Sequence, residues 1–119
     1  MNTSINVKRI YDIPTESDHY RILVDRLWPR GISKEAAKIN YWAKDIAPSN
    51  ALRKWFHENR NAFAKFKAEY DKELEENPNT ETFIDQLRPL QTVTLLTAAK
   101  DVAHSHVPVI KAFIQKKAK

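Results

Sequence analysis

One hundred and nineteen residues, 42% hydrophobic and 29% charged, suffice for one compact core and are scarcely enough for two. Twenty Lys and Arg against fifteen Asp and Glu leave a formal charge of +5, and the lack of cysteine excludes disulfide frameworks, thiolate nucleophiles, Cys-ligated zinc and iron–sulfur clusters. Lys8, Arg9 and Asp12 stand where a signal peptide needs an unbroken apolar run, and no window approaches the roughly 18 apolar residues of a membrane span, so a cytoplasmic protein with no membrane partner is expected.

Ile5 to Tyr11 alternates apolar and polar side chains, the pattern of a half-buried strand. A turn-rich stretch from Asp12 to Asp18 follows, and Tyr20 to Asp25 then forms an apolar run that predicts a central strand ending in a carboxylate. Pro29 biases Trp28 toward an extended backbone, and Gly31, the single glycine of the chain, is available for positive φ. Ser33 caps a predicted short helix over 34–38, while residues 39–46 read equally as strand or helix. Behind Pro48, Ser49 caps a helix over about 50–58 with Leu52, Trp55 and Phe56 on one face. Phe63, Phe66, Tyr70 and Leu74 continue the apolar stripe along a long helix, its back carrying Lys65, Lys67, Glu69, Lys72 and Glu73.

After the Asn77-Pro78-Asn79 turn, Thr80 is the expected cap of a helix using Phe83, Ile84 and Leu87, which ends before Pro89. Thr92 to Thr97 is strongly β-favouring. A polar connection over 100–105 leads to a terminal helix in which Val107, Ile110, Ile114 and Ala118 recur at helical intervals, with Pro108 near its start and Lys116, Lys117 and Lys119 complementing its carboxyl end. No repeat or linker interrupts the chain, so a single domain over 1–119 is expected. Strands separated by helices predict a small, helix-rich α/β layer fold with a short, largely parallel sheet, because parallel neighbours need crossover connections. Ligands of such sheets bind beyond the carboxyl ends of the strands, here the loops after Asp25 and Thr97.

Charge is unevenly spread: residues 1–60 hold eleven basic and seven acidic side chains, residues 61–89 four and seven, and residues 90–119 five and one. A surface built from the two ends attracts phosphate or carboxylate. The densest constellation is Asp25-Arg26-Leu27-Trp28-Pro29-Arg30-Gly31, where Arg26 and Arg30 can fork onto an anion and Trp28 can pack over a ligand; the structural alternative is an Asp25–arginine pair holding a turn, with Trp28 in the core. A second is Lys100, Asp101, His104, Ser105 and His106 before the terminal helix, with Ser105 read as a helix cap rather than a nucleophile and no HExxH spacing for a metal. In the third, Arg53 and Arg60 lie seven positions apart and share a face if the helix reaches that far. Asp25 and His104 are the candidate acid–base groups; Arg26, Trp28, Arg30, Gly31, Arg53, Lys100, Asp101 and Ser105 are the candidate ligand contacts.

Val7 to Asp12, Arg21 to Gly31 with its VDRLWPRG core, Ala47-Pro48-Ser49 with Leu52 to His57, and Leu95-Leu96 with Ala98 to Asp101 together resemble the YeaO-like bacterial proteins, domain of unknown function 488. The resemblance runs nearly end to end and implies no established activity. It also implies a glycine before the second strand and an asparagine before the terminal helix, where this chain has His19 and Ser105. The residues predict an enzyme or binding protein for an anionic small molecule and name no cofactor, reaction or oligomeric state. Nucleic acid is the alternative partner, from the pI near 9.5 and basic residues interleaved with Trp28, Trp42 and Trp55. A protein-interaction module using the acidic 69–81 surface or exposed aromatics is a third reading.

Overall fold

The computed structural model describes residues 3–117. Four strands, β1 (Ser4–Arg9), β2 (Tyr20–Leu23), β3 (Tyr41–Trp42) and β4 (Thr92–Thr97), form one sheet of order β1-β4-β2-β3 in which every pairing is parallel. Five α-helices accompany it: α1 (Lys34–Ala37), α2 (Asn50–Glu58), α3 (Phe63–Glu76), α4 (Pro78–Leu87) and α5 (Val107–Lys117). The small, helix-rich α/β architecture is therefore as the hydrophobic pattern predicts. Among the described residues no helix is long and apolar enough to cross a membrane.

The continuous apolar runs of β2 and β4 reflect burial on both faces, since successive side chains alternate across a sheet. Ile22 and Leu95 join the large cluster beneath the helices, with Phe66, Tyr70, Phe83 and Ile110. Leu23 and Leu96 instead join a smaller cluster with Ile10 and Ala37, covered by Trp28, Ile32, Ile39 and Trp42. Trp28 and Trp42 meet edge to face with centroids 5.4 Å apart. One face is thus roofed by long helices, and the other mainly by the chain between β2 and β3.

Local departures from expectation have local causes. The ambiguous 39–46 stretch contains β3 followed by a 3₁₀ turn, Lys44–Ile46. The apolar stripe beginning at Leu52 is divided between α2 and α3, because Asn59 closes α2 with its own side chain: Nδ2 donates to the Trp55 carbonyl at 2.8 Å. The chain turns there, and Phe56 of α2 stacks on Phe66 of α3 at 4.2 Å. Arg60 consequently lies beyond the helix that carries Arg53. Asn77 rather than Thr80 caps α4, since Pro78 fits the first helical position without needing an amide hydrogen. Thr80 falls inside the helix, where its buried hydroxyl finds no partner. Ser33 and Ser49 cap α1 and α2 as expected, and Glu73 grips Ser49 through its backbone N–H and hydroxyl. Lys116 and Lys117 sit in the last turn of α5; Ala118 and Lys119 lie outside the described residues.

Candidate functional site

The hydrogen bond from Val24 N–H to the Leu96 carbonyl carries the β2–β4 pairing one residue past β2, so Asp25 emerges beside Thr97. Asp25 Oδ1 accepts from the Thr97 hydroxyl at 2.7 Å and Oδ2 from the Ala98 N–H at 2.8 Å. His106, at the start of α5, brings Nε2 to 3.1 Å from Asp25 Oδ1 and 3.1 Å from the Val24 carbonyl. Burial pushes the Asp25 carboxyl up, but His106, the Ala98 N–H and the Thr97 hydroxyl outweigh it and hold the group below the usual carboxylate range. Arg9, at the end of β1, clamps the same turn from the other side by donating to the Ala98 and Ala99 carbonyls at 3.0 Å each.

A cleft of about 430 Å³ opens beyond these strand ends, a volume suited to a small molecule. Six of the sequence-predicted residues line it: Asp25, Arg26, Trp28, Arg30, Arg53 and Ser105. Lys100, Asp101, His104 and Gly31 do not. Asp101 and His104 pair with each other at 3.0 Å on the exposed surface. Gly31 adopts φ +78, so its role is to turn the chain; a Cβ there would meet no neighbour within 4 Å. His106 is the histidine that faces Asp25. His57, Arg60 and Phe56 also enter the cleft, and only folding reveals this, because nothing in the local pattern distinguishes His106 from His104.

Several lining groups are already engaged. Arg26 donates from Nε to the Pro48 carbonyl and from Nη2 to the Ala47 carbonyl, both at 2.9 Å, and so ties the Asp25 loop to the segment before α2. It does not pair with Asp25. Trp28 commits its indole N–H to the Ile32 carbonyl at 2.8 Å. The Ser105 hydroxyl donates to the Val102 carbonyl at 2.7 Å and accepts from the Val107 N–H at 3.2 Å, satisfying one orphan amide of α5. By contrast Arg30, Arg53, His57 and Arg60 are exposed. Arg53 makes only a 3.3 Å contact with Asn50, and Arg60 rests over the Phe56 ring at 5.5 Å. No three His, Asp or Glu side chains converge to hold a metal among the described residues.

Sequence comparison places this arrangement in a lineage. The profile described as "Inactive DUF488-N3 subclade" matches residues 4–119. The chain belongs to the YeaO-like DUF488 family. Within it, the uncharacterized protein YeaO of Escherichia coli is 39% identical over 112 residues, covering 94% of this chain and 97% of the relative. The uncharacterized protein Rv3073c of Mycobacterium tuberculosis is 38% identical over 111 residues, covering 91% of each. No solved structure matches the chain significantly. Where the resemblance to this DUF488 family implied glycine, His19 keeps a positive φ of 55. The turn into β2 is therefore retained on a residue poorly suited to it.

Proposed function

We propose that this protein binds an anionic small molecule in the cleft beyond β2 and β4, and that it does so as a receptor rather than a catalyst. The observation that carries the reading is the charge inventory. Arg26, Arg30, Arg53 and Arg60, together with His57, line the cleft with a single carboxylate, Asp25, whose two oxygens already accept from Thr97, Ala98 and His106. A cleft so lined favours phosphate or carboxylate, because guanidinium forks match both groups and low-dielectric walls focus the field.

The receptor reading is supported by the state of the nucleophile and base candidates. Ser105 is buried with its hydroxyl spent on the backbone, both Asp25 oxygens already accept hydrogen bonds, His106 Nε2 is held between Asp25 and the Val24 carbonyl, and His104 lies outside the cleft. The word "inactive" in the description of the matching subclade points the same way. The test is titration of amide resonances with inorganic pyrophosphate at low and high salt. Shifts should concentrate at Arg30, Arg53, His57 and Arg60, weaken with salt, and fall at least about tenfold in affinity when Arg53 and Arg60 are both replaced by alanine. Shifts scattered over the surface, or an affinity indifferent to that double substitution, would overturn the proposal.

A further inference from the structure

The two sides of the cleft differ chemically, and the difference narrows the ligand. Along one side, Arg53 and His57 are four residues apart on α2 and so share a face, with Arg60 held alongside by its contact with the Phe56 ring. Arg30 adds a further guanidinium from the β2 loop. These groups exceed what one carboxylate needs and suit the multiply charged oxygens of a phosphate ester.

The other side presents apolar side chains, and the one polar side-chain group among them is already engaged. Leu27 is 58% exposed there, beside the half-buried Trp28 and the buried Pro29 and Pro48. Neither proline has an amide hydrogen, and the Trp28 indole N–H is committed to Ile32. In the adjoining turn, the Ala98 N–H goes to Asp25, the Ala99 N–H goes to Thr97 Oγ1, and both alanine carbonyls accept from Arg9. A sugar body would set its hydroxyls against side chains that offer them no partner, and leaving polar groups unpaired is costly. A flat heterocycle instead gains by covering the exposed Leu27 side chain and the open part of the half-buried indole.

Resting on the anion-binding reading above, we propose that the cleft takes a nucleotide: its phosphate on Arg53, His57 and Arg60, and its base against the Leu27–Trp28–Pro29 wall. Because that wall reads shape and not base edges, adenine and uracil nucleotides bind alike. The same chemistry occurs in a free nucleotide and at the phosphorylated end of a single strand.

Calorimetry with AMP, UMP, ribose 5-phosphate, adenosine and a 5′-phosphorylated oligothymidylate separates these elements. AMP and UMP should bind within about tenfold of each other, and each at least about tenfold more tightly than ribose 5-phosphate. Adenosine should bind more weakly than AMP. Leu27→Ser, at an exposed position where folding is not at stake, should reduce AMP affinity several-fold while leaving ribose 5-phosphate unchanged. Equal binding of AMP and ribose 5-phosphate would overturn the nucleotide assignment and leave the anion reading standing. Failure of every phosphate-bearing probe would overturn both. An oligomer much tighter than AMP would identify a strand end as the source, and equal affinities a free nucleotide; either result supports the assignment.

Discussion

Strand β2 is flanked by a carboxylate two residues beyond each end, Asp18 and Asp25, and the two have different surroundings. At its amino end Asp18 is buried between two permanent cations. It meets Lys8 Nζ at 3.0 Å and Nη1 of Arg21, and it also accepts the Thr15 N–H and hydroxyl at 3.0 Å each. Arg21, itself buried, spends its remaining nitrogens on the Ala37 carbonyl at 3.1 and 2.8 Å. At the carboxyl end Asp25 faces one imidazole and neutral donors, and a cleft lies alongside. The first cluster is closed: two cations share one buried carboxylate, every polar group of Asp18 and Arg21 has a partner, and it ties β1, β2 and α1 together. The second leaves cations on neighbouring elements without carboxylates of their own. What separates the two ends is that the cations beside Asp25 face a cleft without a carboxylate partner, whereas those at Asp18 are spent on it.

The largest expected effect separates the two ends directly. Asp18→Ala leaves Arg21 buried without its counter-charge and should cost roughly 3–5 kcal/mol in urea unfolding. Asp25→Asn keeps an oxygen for the Ala98 N–H and should cost only about 1–3 kcal/mol. Equal losses would erase the distinction between a carboxylate locked in a closed ion cluster and one at the edge of a cleft.

Acid titration sharpens the same contrast. Burial pushes Asp18 up, but Thr15, Lys8 and Arg21 together bring it well below its ordinary value of 3.8, and Asp25 is lowered too. With folded values below unfolded ones, the unfolded chain binds protons first as pH falls. The stabilisation from both groups is therefore complete above about pH 5, and is lost progressively as pH drops through about 4 toward the folded values. In Asp18→Asn this acid limb should be markedly shallower, and in Asp25→Asn only slightly so. A limb unchanged in Asp18→Asn would assign acid sensitivity elsewhere.

Most of the fold was legible in the sequence because it rests on local periodicity. The apolar runs at Ile22 and Leu95 mark strands, and the spacing of Leu52 and Phe56, or of Phe66, Tyr70 and Leu74, marks helices. The asparagine break at 59 and the Asn77 cap are also local signals, but weaker than the stripe running past them. The site was half legible. Asp25, Arg26, Trp28 and Arg30 are contiguous, so one strand end delivers them together. His106 and Arg60 depend on where α5 begins and how α3 folds back on α2, which are tertiary facts. The Asp18–Arg21–Lys8 cluster left no trace in the pattern, because an arginine inside a short strand looks the same whether it faces solvent or a buried carboxylate.

The smallest expected effect concerns the backbone at the same two ends. His19 enters β2 at φ 55, ψ −115, and Gly31 leaves the Asp25 loop at φ 78. Only glycine is at ease in such conformations; other residues bear of order 1–3 kcal/mol of strain there. The exposed His19 side chain makes no hydrogen bond that would offset this, so His19→Gly should raise stability by about 1 kcal/mol, the relief of strain exceeding the added freedom of the unfolded chain. Gly31→Ala should lower it by about 1 kcal/mol with no steric contribution, since the new methyl meets open space. Opposite shifts of the urea midpoint at constant m-value are the expected pair. A loss in His19→Gly would mean that the imidazole, and not the turn, is what the amino end of β2 requires.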